Sequence, residues 1–143
     1  MKNNYIIKAK KIETLDLTRK ERLEHLVDIV SKLNLSLHTA NTDADANRAL
    51  NNLSVVIDEL SRQSCFSEIR FEDLRGTIRS VKLHDVTRSD LYAFTEKFIA
   101  YINGLILEEE KKERVQAFRA LCLQLAEHAE EVVNVIDVTK IFG

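Results

Sequence analysis

Proline is absent from the chain, and glycine occurs three times, at Gly76, Gly104 and Gly143. Turns in sheet proteins depend on the special backbone angles of those two residues. Their scarcity argues against a many-stranded fold and for helices. Cysteine occurs twice, at Cys65 and Cys122. A disulfide framework needs more, and the pair fits a reduced, cytoplasmic setting in which free thiols act as small hydrophobes. Long apolar runs are missing too. The stretch from Phe98 to Leu107 falls far short of a membrane span and contains Asn103 and Gly104. Lys2, Lys8, Lys10 and Lys11 lead into no apolar segment with a small-residue cleavage site, so no secretory signal is expected. The formal net charge is −2. That excludes a global basic field for nucleic acid, is too small for a nucleic-acid mimic, and leaves room only for a local basic patch.

What is present fits one folded domain over residues 1–143. Hydrophobic residues make up 45% of the chain and charged residues 31%. This is a globular balance, in a chain long enough to bury one real core. Residues 1–17 read as a locally basic N-terminal arm, a short strand or a frayed helix start. From there the pattern is helical. Thr18 and Glu21 form a capping box, in which each side chain bonds the other's backbone amide. Leu23, Leu26, Val27, Val30, Leu33 and Leu37 follow at helical spacing. "LHTANTDADAN" breaks that stripe, because Asn, Asp and Thr compete for the backbone, and Thr42 or Asp43 is the next cap. A second stripe runs through Ala46, Leu50, Leu53, Ile57 and Leu60. After a break at 64–67, a third uses Phe71, Leu74, Ile78 and Val81. Thr87 or Ser89 caps a fourth, which carries Leu91, Phe94, Phe98, Tyr101 or Ile102, and Leu105.

The last stripe is the most regular. Val115, Phe118, Cys122, Leu125, Ala129, Val132 and Ile136 alternate spacings of three and four, a coiled-coil-like seam. "EEEKKER" joins it to the fourth stripe without a turn residue. The register carries through with Glu108 and Lys112 at inward positions. Residues 90–137 are therefore one long helix or a pair hinged near Gly104. A continuous helix would be about 70 Å long, and a rod of that length implies an oligomer. The β-branched tail "VVNVIDVTKIF" leaves a terminal strand or extended end open.

One stretch resembles chemistry. "RSVKLHD", residues 79–85, places Arg79 five positions before His84. The spacing resembles the signature of HEPN-type ribonucleases, helical proteins that often dimerise. That resemblance implies a histidine in acid–base work on the RNA 2′-hydroxyl and an arginine on the phosphate. "KLHD", with Leu91 further on, also resembles the phosphoacceptor box of two-component histidine kinases, which would make His84 a phosphotransfer or docking residue. Geometry favours neither. On one helix, positions 79 and 84 point about 140° apart. The preferred reading is a solvated arginine and a helix-terminal histidine.

Other chemistries lack their residues. Di-iron bundles need an acid three positions before histidine. Arg22, Leu35, Val81 and Leu125 stand there, before His25, His38, His84 and His128. Glu21, His25 and Asp28 share a face on which a zinc ion would fit, but such a face is ordinarily solvated. No metal or other cofactor is expected. No nucleophile elbow, phosphate loop or dinucleotide fingerprint occurs. The lysine-rich arm beside Tyr5 reads as solvated, and nucleic-acid binding is not favoured.

The expected protein is thus an all-α antiparallel bundle of four or five amphipathic helices with a long, coiled-coil-like C-terminal helix or helix pair. The expected function is non-catalytic binding or regulation through helical faces, with the chain itself as partner in a homodimer or higher oligomer. The expected interaction surface is Phe94, Phe98, Tyr101, Ile102, Leu105, Val115, Phe118, Leu125 and Val132. A metal-independent ribonuclease built on Arg79 and His84 is the alternative.

Overall fold

The computed structural model describes residues 4–142, with side chains as far as Glu130. Five α-helices, α1 (Asn4–Thr14), α2 (Arg19–His38), α3 (Asp43–Arg62), α4 (Glu72–Lys82) and α5 (Arg88–Phe142), account for most of it. A 3-10 turn, Ser64–Phe66, follows α3, and no strand occurs among the described residues. The chain divides into two units, residues up to 107 and residues from 108 onward.

The helix starts follow from local hydrogen bonds. At α2 the Thr18 hydroxyl accepts from the Glu21 amide at 3.1 Å, and the Glu21 carboxylate accepts from the Thr18 amide at 3.1 Å. The backbone bond from Thr18 holds the Glu21 carboxyl below its ordinary range. A depressed folded pKa means that this stabilisation is present above the ordinary carboxylate pKa and is lost as pH falls through the lowered one. Thr42 caps α3 by accepting from the Asp45 amide. Thr87 and Asp90 repeat the reciprocal arrangement at the start of α5.

In the first unit α3 is central, with α1, α2 and α4 against it. Its apolar stripe, Ala46, Leu50, Leu53, Ile57 and Leu60, is buried throughout. Leu23, Leu26, Val30, Leu33 and Leu37 of α2 meet it, as do Leu74, Ile78 and Val81 of α4. The irregular link between α3 and α4 adds Phe66, Ile69 and Phe71 to the core.

Two elements differ from the sequence expectation. Residues 4–14, left open as arm, strand or frayed helix, form a helix that buries Ala9 and Ile12. Tertiary contacts hold it there. Buried Gln63, just past α3, donates its side-chain amide to the Ala9 carbonyl, and the Glu13 carboxylate accepts from the Ser64 hydroxyl at 2.9 Å. In addition, the backbone is helical without a break from Arg88 to Phe142. Gly104 makes no hinge, and the terminal strand or tail does not form. The first part of α5 belongs to the first unit. Leu91, Phe98, Ile99 and Ile102 are buried there, and Asn34 of α2 donates to the Tyr92 carbonyl and the Glu96 carboxylate across the α2–α5 contact. His38 stacks on Tyr92 at 4.2 Å.

Candidate functional site

The "RSVKLHD" stretch is a helix end. Leu83 is the C-cap of α4, and His84 follows with φ 61°, in the left-handed region. The His84 amide donates to the Val81 carbonyl at 3.0 Å, and the Asp85 amide to the Ser80 carbonyl at 2.9 Å. Those two bonds define a Schellman termination, which uses a left-handed residue to satisfy the helix's last carbonyls. Glycine or asparagine is usual there, so His84 carries backbone strain. Its ring is exposed. Arg79 lies elsewhere, in a shallow groove of about 150 Å³ between α3 and α4 lined by Ser54, Asp58, Arg75, Ile78 and Lys82. His84 does not line that groove. The structure therefore does not bring the two residues to one groove.

This arrangement makes a stability prediction. A left-handed L-residue costs about 1–2 kcal/mol. Glycine would remove that cost and lose part of it to the entropy of the unfolded chain. His84→Gly is expected to stabilise the first unit by about 0.5–1 kcal/mol, and His84→Val to destabilise it. Thermal melts of the two variants check this, and a lower melting temperature for His84→Gly would contradict it.

The other candidate groups are engaged or dispersed. Among the described residues no cluster of three or more His, Cys, Asp and Glu side chains is placed to hold a metal ion. Glu21 is tied to Thr18, and Asp28 pairs with Lys32 at 3.1 Å. Burial pushes the Cys65 thiol up, which disfavours the thiolate, and its sulfur lies 3.7 Å from the Gln63 side-chain oxygen. No helix among the described residues is long and apolar enough to cross a membrane.

The expected interaction surface divides in two. Phe98 and Ile102 are core residues of the first unit, 7% and 0% exposed. Phe94 and Leu105 are half-buried against the same core, and Tyr101 is exposed beside Phe98. The sequence places Phe94, Phe98, Tyr101 or Ile102, and Leu105 together on one apolar stripe. The rest of the first unit covers most of it.

Beyond residue 107 the picture reverses. Val115, Phe118 and Leu125 are 48%, 65% and 58% exposed, and Cys122 and Ala129 are exposed with them. The Val132 side chain lies outside the described residues. Leu121, absent from the expected surface, is exposed as well. It stands three residues after Phe118 and four before Leu125, and that spacing was its signal. At 3.6 residues per turn, all six side chains fall within an arc of about 120°. Leu123 is exposed on the far side. Above the stripe, Lys112 pairs with Glu109 at 3.3 Å, one turn's spacing along the charged stretch.

Comparison with protein-family models, curated proteins and solved structures finds no match to this chain.

Proposed function

We propose that the protein is a non-catalytic, cytoplasmic binding or regulatory protein that acts through α5, by self-association and by contact with protein partners. One observation carries the reading. The helix beyond residue 107 presents Val115, Phe118, Leu121 and Leu125 along one side, each about half or more exposed. An isolated helix in water gains little from backbone bonding alone and depends on burial of its apolar face. Contiguous exposed apolar residues on a soluble chain mark an interaction site. The seam is coiled-coil-like in spacing, and its natural partner is another helix with the same seam. For the first unit, the short connections between successive helices favour antiparallel neighbours, the bundle arrangement expected from the sequence.

The oligomeric state tests the reading. Sedimentation equilibrium between about 1 and 100 µM is expected to show a reversible dimer or higher species, because a seam of about three heptads sits near the lower limit for stable association. A single species of 16.4 kDa over that range would overturn self-association. Metal-free cleavage of single-stranded RNA that is lost in both His84→Ala and Arg79→Ala would overturn the non-catalytic reading.

A further inference from the structure

We infer that the seam of α5 docks on a second copy of this chain in antiparallel orientation, with the basic residues 111–119 of each copy toward the acidic far end of the seam, around Glu127 and Glu130, of the other. The inference rests on the self-association proposed above and specifies its geometry. Three independent features of residues 111–130 point the same way.

The first is charge. Residues 111–119 contain Lys111, Lys112, Arg114 and Arg119 against Glu113, a net charge of +3 (4 − 1). Residues 120–130 contain Glu127 and Glu130, a net charge of −2 with His128 neutral. Side by side and parallel, two copies set like halves together. Reversed, they set unlike halves together, and complementary potentials both orient and favour the encounter.

The second is the flank of the seam. With Val115, Cys122 and Ala129 at the a positions and Phe118 and Leu125 at d, Arg114 falls at g and Arg119 at e. In a parallel pair each g residue meets the e residue five positions on in the other chain. Arg114 would then face Arg119 on both sides of the dimer. In the antiparallel pair that contact does not occur. Arg119 instead lies on the same flank as Glu130 of the second copy, two residues out of step.

The third is volume. A parallel, in-register pair stacks Phe118 on Phe118 and Ala129 on Ala129, one layer crowded and the next hollow. Cores tolerate neither well. The antiparallel register that places Phe118 over Ala129 of the second copy also places Cys122 over Leu125. Large then meets small along the seam. Each contact repeats across the two-fold axis, so the same patch serves both copies.

Cysteine cross-linking of full-length chains tests the orientation. One chain carries Cys65→Ser and keeps Cys122 as its only thiol. The other carries Cys65→Ser, Cys122→Ser and Leu125→Cys. Positions 122 and 125 are exposed in the protomer, and circular dichroism confirms that both chains fold. The chains are mixed under reductant at low concentration, concentrated and oxidised with diamide. In the antiparallel register, Cys122 of one copy and Cys122 of the other are offset by three residues, about 4.5 Å along the axis. Inward Cα atoms stand about 2.3 Å off their axes, so at an interaxial distance of about 8–10 Å a directly facing pair lies within the roughly 7 Å Cα separation that a disulfide spans. The offset carries the Cys122 pair toward or past that limit and turns its Cβ vectors apart. Position 122 faces position 125 directly. The expected result is a mixed dimer in at least ten-fold excess over either like-with-like dimer. The first chain alone should cross-link at least ten-fold less. Efficient Cys122–Cys122 linkage in a chain that sediments as a dimer overturns the antiparallel orientation and leaves self-association standing. Monomeric sedimentation with no linkage overturns both.

Discussion

Ile102→Asp is expected to unfold the first unit. Ile102 has no exposed surface and lies in the core formed by α2, α3, α4 and the start of α5. Truncating such a side chain costs about 2–5 kcal/mol through lost burial and the remaining cavity. Placing an unpaired carboxylate there adds several kcal/mol more. A domain of this size has about 5–15 kcal/mol in total. At about 4–8 °C of melting temperature per kcal/mol for a unit of this length, the cooperative transition should fall by at least roughly 15 °C or disappear. Asn103→Asp is the control, one residue further along and exposed, and should shift the transition by no more than a few degrees. Equal shifts for the two variants, followed by circular dichroism, would show that α5 does not complete this core.

How far the sequence speaks can be judged residue by residue. Thr18 was legible as a cap, and Thr42 and Thr87 each as one of two candidates beside Asp43 and Ser89, because a cap is local: a hydroxyl and an amide three positions on decide it. The stripes of α2, α3 and α4 were legible because helical periodicity survives any tertiary arrangement. Helix α1 was not legible. Only Ala9 and Ile12 are buried there, Lys8, Lys10 and Lys11 obscure the pattern, and the bond from Gln63 that secures it comes from a residue 54 positions away. His84 was correctly placed at a helix end, but the Schellman turn was hidden, since no Gly or Asn marks the left-handed position. The candidate interaction surface shows the deeper limit. Phe98 and Phe118 look alike in sequence, each on an apolar stripe of the same helix. One is core and the other exposed because α2–α4 supply a neighbour for the first. Periodicity reports that a face wants covering; which element covers it is decided in three dimensions.

Leu125→Asp should have the opposite effect to Ile102→Asp. Leu125 is 58% exposed within the protomer and lies in the second unit. Its replacement buries no charge in the first unit's core, so the melting transition of that unit should stay within about 2–4 °C of the parent, the range of a surface substitution. Association should respond strongly. In a two-fold seam each Leu125 contributes twice, and each replacement would place a carboxylate in an apolar layer. Even at the ~1–3 kcal/mol that an unpaired neutral polar group costs, below the cost of a carboxylate, two such layers weaken a dimer by roughly 30- to 20,000-fold. The variant is therefore expected to sediment as a monomer at concentrations where the parent is associated, with its first unit intact. Glu110→Ala, in the charged stretch ahead of the seam, removes a surface charge worth about 0–1 kcal/mol and should leave both properties unchanged. If Leu125→Asp stays associated to the same degree as Glu110→Ala, the apolar stripe of residues 115–129 is not the contact that assembles this protein.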